Sequence, residues 1–295
     1  RCAVVDEKEL MSLGELYREL RLARGLKLRD VAHDGLSVSQ LSKFENGKSM
    51  LTADKLLTAI SGIHMSFSEF GYALNHYRAS SYHKIGNQLA TLQIAGDIAG
   101  LKDMLKHFEA SDYFDTYNRL TRIDIVSAIY SLDSSYEIKE DDKQFLTHYL
   151  YGIEQWTEYE LYLFGNTMSI LSNDDLIFLG KAFAERDEFY LALPQHKKAA
   201  QLTFINIILT LIERKQLYYT KYFLNKLESM INYQDMFTVI FLTFLKDTLA
   251  YLKGESDDVM PMRDCIEMVE KLGNSTMAKL LETHLETFLD LYKKD

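Results

Sequence analysis

One twelve-residue segment near the amino terminus, LSVSQLSKFENG at Leu36–Gly47, constrains the fold more than any other part of the sequence. Ser37 followed by Gln40 is the pattern of a capping box, in which the hydroxyl and the amide each accept a backbone N–H at a helix start. Leu41 and Phe44 then fall on one face of the helix. The segment therefore predicts a short helix with an apolar inner face and a polar outer face.

Two further helices are predicted upstream of this segment. Leucines recur at helical spacing within Leu10–Arg24, and Gly25 can end that helix in a left-handed conformation. A second short helix is predicted at Leu28–Asp34, where Ala32 permits close packing. One longer and two short helices in this order, with the polar face of the third outward, predict a helix-turn-helix and sequence-specific DNA binding.

Two capped helices are predicted to complete the amino-terminal domain. Thr52 is placed to cap the fourth helix, whose buried stripe is expected to include Leu57. Ser66 and Glu69 form a second capping box that opens a fifth helix, with Phe67 expected inside. The sequence thus predicts a five-helix domain.

The predicted DNA-contacting residues are basic side chains of the first and third helices and polar side chains of the third. Ser39, Gln40 and Lys43 would point toward the major groove. The complete set is Arg18, Arg21, Arg24, Ser37, Ser39, Gln40, Lys43 and Lys48. Alternatives stay open for part of this set: Gln40 is equally explained as a cap partner, and Lys43 and Lys48 as solvated lysines.

The net charge of −10 is distributed unevenly along the chain. Residues 1–77, the predicted DNA-binding domain, contain ten Lys or Arg and ten Asp or Glu. All of the negative charge therefore lies in residues 78–295, the predicted second domain. A local basic stripe on a neutral domain is sufficient for phosphate contacts.

Composition restricts the remaining possibilities. Only two prolines occur in 295 residues, and together with long helical periodicities this predicts an all-α protein. No apolar run reaches the roughly 18 residues that a membrane span needs, and the first ten residues are too short and polar for a signal peptide. Cys2 and Cys265 show neither a disulfide framework nor a metal-ligand spacing. We therefore predict a cytoplasmic protein without catalytic residues, cofactor or metal.

The second domain is predicted to be a succession of amphipathic helices. Breaks recur at Asn173, Lys215 and Gly254, roughly forty residues apart, with one helical pair in each interval. Stacked pairs of this length suggest a superhelix similar to that of tetratricopeptide (TPR) repeats, which presents a concave surface to an extended peptide.

Asparagine side chains in predicted helices are the first candidates for binding a peptide. The amide both donates and accepts hydrogen bonds, as a peptide backbone requires, and asparagine has poor helix propensity. Arginines are added as carboxylate anchors and aromatic residues as groove lining, although simple exposure, ion pairing or core packing would also explain them. The candidate set is Asn166, Asn206, Asn225, Arg119, Tyr162, Phe204 and Tyr222.

The sequence resembles a known family in two separate places. The segment from LGELYRELRLARGLKLRDVA through LSVSQLSKFENG to MSFSEF resembles XRE-type helix-turn-helix domains, and more narrowly the Rgg (MutR/GadR-like) regulators of Gram-positive bacteria. WTEYELYLFGNTMSIL at Trp156–Leu171 is similar to the W-x-x-Y-E-x-x-L-x-G-N segment of the same family. One departure is Leu28, which stands where many XRE domains carry a phosphate-contacting Gln; Lys27 or Arg29 would substitute.

The resemblance implies a homodimeric transcription regulator that binds a double-stranded DNA operator and senses a short hydrophobic signalling peptide, as in quorum sensing. The residues alone leave two alternatives: a constitutive helix-turn-helix dimer without a peptide ligand, and a helical-repeat module that binds a protein partner. The dimer interface is expected around Leu280–Tyr292, through Leu281, Leu285, Phe288 and Leu289.

Overall fold

The computed structural model describes residues 7–33, 35–74, 81–109, 115–186 and 193–293, and no strand occurs within these ranges. The first five helices are α1 Glu7–Ala23, α2 Leu28–Val31, α3 Val38–Glu45, α4 Ala53–Gly62 and α5 Phe67–Leu74. The predicted all-α class and the predicted five-helix amino-terminal domain are confirmed.

The amino-terminal helices surround one small core. Tyr17 of α1 and Phe44 of α3 are fully buried in it, with Val31, Leu41 and Ile60. The Tyr17 hydroxyl donates to the carbonyl of Ala59 on α4 at 3.0 Å. The core therefore joins α1 to both α3 and α4.

Two residues predicted to lie on the buried faces of α4 and α5 are exposed. Leu57 and Phe67 are 50% and 61% exposed, because α4 and α5 turn Ile60 and Phe70 to the core instead. Thr52 does precede α4, but its side chain makes no capping hydrogen bond. The capping box of Ser66 and Glu69 is present as predicted.

Eleven further α-helices and one 3-10 helix follow in the described ranges. They are α6 Ser81–Ile94, α7 Ile98–Glu109, α8 Thr116–Leu132, α9 Glu140–Gly152, α10 Glu158–Thr167, the 3-10 helix Met168–Ile170, α11 Asn173–Arg186, α12 Pro194–Glu213, α13 Thr220–Ser229, α14 Met236–Leu252, α15 Met260–Lys271 and α16 Ser275–Leu291. Helices α8, α10, α12 and α14 form a row in which each contacts the next. Chain neighbours such as α7 and α8, α12 and α13, and α15 and α16 also pack together, as expected for stacked helical pairs.

The chain divides into two compact units, residues 1–88 and 89–295. The predicted boundary at residue 77 lies in 75–80, outside the described residues. No described helix is both long enough and apolar enough to cross a lipid bilayer.

The prediction that one face of α16 forms the dimer interface is wrong for most of the residues named. Leu281, Leu285 and Phe288 are completely buried within the chain itself, because this face of α16 packs on α15 and α12. Leu289 is partly buried against the same core. These side chains therefore stabilise the protomer.

Candidate DNA-binding surface and peptide groove

Helix α3 is held at an unusually close distance to α1. A Cβ atom at Gly14 would lie 1.9 Å from the carbonyl oxygen of Phe44, so only glycine fits at this crossing. The Ser37 hydroxyl accepts the N–H of Gln40 at 3.2 Å, and the Gln40 amide oxygen accepts the N–H of Ser37 at 3.1 Å. The capping box predicted from the sequence is thus confirmed.

The structure corrects the assignment of Arg21 to DNA contact. Its guanidinium is buried and donates to both carboxylate oxygens of Glu45, at 2.6 and 2.7 Å, and to the carbonyl of Leu26. The hydrogen bond from Glu45 raises the pKa of Arg21 above its ordinary value, against the opposing effect of burial. Arg21 therefore joins α1 to the end of α3 and does not reach a phosphate.

The other predicted DNA contacts divide into two groups. Ser37 and Gln40 are engaged in the capping box, so Gln40 is explained by its cap role. The remaining side chains are exposed and are Arg18, Arg24, Ser39, Lys43 and Lys48. Lys27 and Arg29, the alternatives at the start of α2, are exposed as well. The accessible basic and polar surface of this unit thus includes the outer face of α3.

In the second unit, α10 and α12 meet at two predicted site residues. A Cβ atom at Gly165 would lie 3.8 Å from Nδ2 of Asn206, which places the Asn206 amide against α10. Asn206 is exposed, and Tyr162 and Asn166 of α10 are partly exposed. Tyr162 and Asn166 are four residues apart and share one face of α10. The structure therefore brings these three predicted residues to the α10–α12 crossing.

A separate open cleft lies where the start of α12 meets the end of α13 and the start of α14. Leu202 lies one turn before Asn206 on the same face of α12 and lines a cleft of about 1030 Å³. Phe237 of α14 lines the same cleft, and Leu202 and Phe237 are 38% and 44% exposed. At its wall, Lys197 pairs with Asp235 at 2.7 Å. The cleft thus combines exposed apolar side chains with a polar rim.

Beneath the crossing lies a buried polar contact between α8 and α10 that the sequence predictions missed. The Tyr162 hydroxyl donates to Oδ2 of Asp124 at 2.7 Å. Burial raises the pKa of Asp124 to about 7, although hydrogen bonds from Tyr162 and Asn166 act in the opposite direction. One turn further on, the Ser127 hydroxyl donates to the carbonyl of Asn166 at 3.0 Å. The available signal was an acidic residue within the apolar run IDIVSAI.

Two of the predicted peptide-binding residues are engaged elsewhere and are corrected. Arg119 pairs with Asp141 and Asp142, and its guanidinium lies 4.1 Å from the centre of the Phe145 ring. Phe204 is only 2% exposed and packs among aromatic rings of the core. Neither side chain is therefore available to line a groove.

The last two predicted residues lie on α13. Tyr222 is half-buried, with the ammonium of Lys181 at 5.6 Å from its ring centre and that of Lys226 at 5.9 Å. Asn225 is exposed. These residues belong to the α11–α13 side of α12, whereas Asn206 lies against α10.

Arg214 has a structural role that the sequence did not reveal. It donates to the carbonyls of Met168, Ser169 and Leu171 at 2.8–3.1 Å. These groups follow the end of α10, where backbone carbonyls lack intrahelical partners. Arg214 thereby fixes the segment that carries Asn166.

Within the described residues, no group of His, Cys, Asp and Glu side chains is arranged to hold a metal ion. Cys265 is buried, and Cys2 lies outside the described residues.

Comparison with known proteins agrees with both halves of this description. The carboxy-terminal domain of the HTH-type transcriptional regulator Rgg matches residues 102–283, and a helix-turn-helix family matches residues 18–70. The SHP pheromone receptor Rgg2 of Streptococcus dysgalactiae has a similar structure, with a TM-score of 0.77 at 20% identity over 93% of this chain and 98% of the receptor.

Two other solved structures share the fold. A protein from Listeria monocytogenes has a TM-score of 0.81 at 20% identity, covering 95% of this chain and 97% of its own. The PrgX/cCF10 complex has a TM-score of 0.73 at 13% identity, covering 96% of this chain and 94% of PrgX. Because the Rgg model spans more than half of the sequence and follows the helix-turn-helix match, this chain belongs to the Rgg family of helix-turn-helix transcriptional regulators.

Proposed function

We propose that this regulator is a cytoplasmic homodimer whose DNA binding is controlled by a short hydrophobic signalling peptide held between α10, α12 and α14. Family membership supports DNA-binding transcription control. Two structurally similar proteins are described as a pheromone receptor and as a receptor–peptide complex. The observation that carries the peptide proposal is the open cleft with exposed apolar lining, in which Leu202 lies one turn before Asn206 on α12.

DNA recognition is assigned to the outer face of α3. Lys43 is exposed in the last turn of α3 and has no ion-pair partner among the described residues. Ser39 is one turn earlier on the same face, which gives a donor and acceptor beside a cation. Lys48 and the exposed arginines of α1 would contribute phosphate contacts, which hold the domain on the duplex without reading sequence.

The DNA assignment is tested with Lys43→Ala. We expect specific operator binding to weaken by roughly 1–3 kcal/mol if Lys43 contacts a base. Lys253→Ala in the loop after α14 removes the same charge from an exposed site and serves as the control. Mobility shifts over a range of salt concentrations measure both variants. Equal operator affinity in wild type and Lys43→Ala would remove α3 from the recognition surface.

Peptide binding is assigned to the α10–α12 crossing and the cleft at the start of α12. An extended peptide requires partners for its amides, and each buried amide without one costs about 1–3 kcal/mol. Asn166 and Asn206 can donate and accept together, while Leu202 and Phe237 offer apolar contacts a short distance along α12. This combination of apolar pockets and few convergent polar groups is typical of ligand sites.

The peptide assignment is tested by fluorescence polarisation. The probes are labelled peptides encoded by small hydrophobic open reading frames beside the gene. Asn166→Ala and Asn206→Ala should bind them more weakly, whereas Asn225→Ala on α13 should bind as wild type does. A loss restricted to Asn225→Ala would move the peptide to the α11–α13 side. Circular dichroism separates lost binding from unfolding.

The alternative of a constitutive dimer without a peptide predicts a filled, narrow groove. The exposure of Leu202 and Phe237 in a cleft of about 1030 Å³ favours the peptide instead.

A further inference from the structure

Asp124 of α8 is a buried carboxyl group with one oxygen left without a partner. The residue is 2% exposed, and its Oδ2 accepts the hydroxyl of Tyr162. Its Oδ1 is enclosed and accepts no hydrogen bond of ordinary geometry within the described part of the chain. A buried acceptor without a donor is unfavourable by about 1–3 kcal/mol, so such groups point to a missing partner.

No cation of the described chain compensates this carboxyl group. The arginines nearest to it in sequence, Arg119 and Arg122, donate to Asp142 at 3.0 and 2.7 Å. Asp124 takes part in no ion pair within the described ranges. Burial without a counter-ion raises the pKa of Asp124 to about 7. A buried acid in this state is a typical feature of functional sites.

The groups around Oδ1 match one chemical class of ligand. Oδ1 of Asp124 and the hydroxyl oxygen of Tyr162 are two acceptors at one place, and the Asn166 amide, which acts on both groups, can turn its oxygen toward a ligand as a third acceptor. An alkylammonium group has three N–H donors and no acceptor, and it carries the charge that a carboxylate requires. A neutral hydroxyl or amide would leave the carboxylate uncompensated.

We propose that Asp124 binds a protonated amine of the signalling peptide, either its α-amino group or a lysine side chain, with Tyr162 and Asn166 completing the site. This inference rests on the proposed peptide-binding function and specifies the charge of its ligand. Tyr162 and Asn166 are partly exposed on the face of α10, so a change of their rotamers opens the path to Oδ1. The amine then donates a charge-assisted hydrogen bond to Oδ1, which otherwise has no donor.

The test uses affinity selection with a synthetic library of apolar octapeptides in four matched versions. The amino terminus is free or acetylated, and one position carries lysine or the neutral isostere norleucine. Wild-type protein should retain one amine-containing version at least tenfold more than the fully neutral version. The version that is retained identifies the α-amino group or the lysine as the source.

Asp124→Asn removes the charge and keeps the shape of the side chain. It should abolish this preference while it still retains neutral peptides. Tyr162→Phe removes one acceptor and should reduce the preference in part. Asp174→Asn, at an exposed position of α11, is the matched control and should behave as wild type does.

Each outcome decides a separate question. An unchanged amine preference in Asp124→Asn overturns the inference. Equal retention of all four peptide versions by the wild-type protein also overturns it, but the proposed peptide-binding function then stands. Retention of no peptide in any version by the wild-type protein overturns the proposed peptide function and the inference together. If Asp124→Asn is unstable, Tyr162→Phe takes its place in the test. Retention of neutral peptides shows that the groove of this variant is folded, and its amine preference should then be reduced in part.

Discussion

At the scale of single residues, Arg21 and Asp124 show how differently two buried charges can be accommodated. Arg21 finds Glu45 at bidentate distance and a backbone carbonyl beside it. Asp124 finds only a tyrosine hydroxyl, and an amide nearby. The first arrangement stabilises a fold, because a buried guanidinium is satisfied. The second leaves an acceptor that a ligand can satisfy.

The ion pair between Arg21 and Glu45 should dominate the stability of the amino-terminal unit. Glu45→Ala leaves the Arg21 guanidinium buried without its counter-ion, and breaking such a pair typically costs about 3–5 kcal/mol. We expect a correspondingly lower urea midpoint by circular dichroism. Glu19→Ala on the exposed face of α1 is the control and should change stability little.

A double variant separates the interaction between Arg21 and Glu45 from the effect of leaving one buried charge without its partner. Arg21→Met combined with Glu45→Leu replaces the charges by apolar side chains, which often restores or exceeds the stability of a buried pair. Recovery relative to Glu45→Ala is therefore expected in a double-mutant cycle. A double variant that is less stable than either single variant would contradict this account of the contact.

The pH dependence of stability should report the state of Asp124. Its pKa is raised from 3.8 to about 7 in the folded chain, so the folded state binds more protons than the unfolded state between these values. Stability must then fall as pH rises through that window, by up to about 1.4 kcal/mol for each unit of pKa difference.

Asp124→Asn provides the comparison, since it removes only this titration. The wild-type protein should lose stability relative to the variant between about pH 4 and pH 7, as measured by thermal unfolding. A constant difference between the two proteins over this range would show that the carboxyl group does not titrate there.

At the scale of helices, the sequence predicted the order and type of elements well where local signals were strong. The capping box of Ser37 and Gln40 fixes the start of α3, because both partners are three residues apart in the chain. What the chain could not reveal is which neighbour each helix face meets. Leu57 has the spacing of a core residue, yet it is exposed because no element of the described ranges covers it.

The same reason explains the errors in the candidate site. Periodicity places Phe204 on α12 but does not say that this side chain enters an aromatic cluster while Asn206 reaches the surface. Arg119 and its acidic partners are 22 and 23 residues apart, a separation that no local pattern records. Asn166 and Tyr162 were predicted separately, one as a polar residue of an apolar segment and the other as groove lining, and the structure places both on one face of α10.

The close crossing of α1 and α3 gives a prediction at this scale. Gly14→Ala would place a methyl group 1.9 Å from the Phe44 carbonyl oxygen, so one of the two helices must shift. We expect a loss of about 1–3 kcal/mol in stability and weaker operator binding, because α3 carries the predicted recognition face. Urea unfolding and mobility shifts measure the two effects.

Gly71→Ala in α5 is a matched control. A Cβ atom at Gly71 would meet nothing within 4 Å. Alanine favours a helix over glycine by roughly 0.5–1 kcal/mol, so this variant should be as stable as wild type or more stable. Equal behaviour of the two variants would mean that α1 and α3 are not tightly packed.

At the scale of the whole molecule, the uneven charge distribution is consistent with a division of tasks between two units. The acidic residues are in excess only after residue 77, so the unit with the predicted DNA contacts keeps its basic side chains without an opposing net charge. A helix-turn-helix protein that reads a symmetric operator requires two copies of the recognition helix. The question is then which surface of the protomer provides the contact between copies.

The exposed face of α16 is our candidate for that contact. Because Leu281, Leu285 and Phe288 are committed to the core, the residues available for a partner lie on the opposite side of the same helix. Leu280, Thr283, Thr287 and Leu291 recur at helical spacing there, and Leu280 and Leu291 are 44% and 37% exposed. Homodimer interfaces are typically more apolar than the remaining surface, and Leu280 and Leu291 are the exposed large hydrophobic residues of α16.

Leu280→Asp should therefore shift the protein from dimer to monomer in light scattering, because it places a charge in an apolar contact between copies. Its folding should be nearly unaffected, since the side chain is not part of the core. Leu132→Asp at the exposed end of α8 changes the same residue type at 37% exposure and should leave the dimer intact. Operator affinity should fall with Leu280→Asp and recover at higher protein concentration, as mass action requires. A stable Leu280→Asp dimer would direct the search for the interface to other exposed apolar residues, beginning with Met268 and Leu272 of the α15 region.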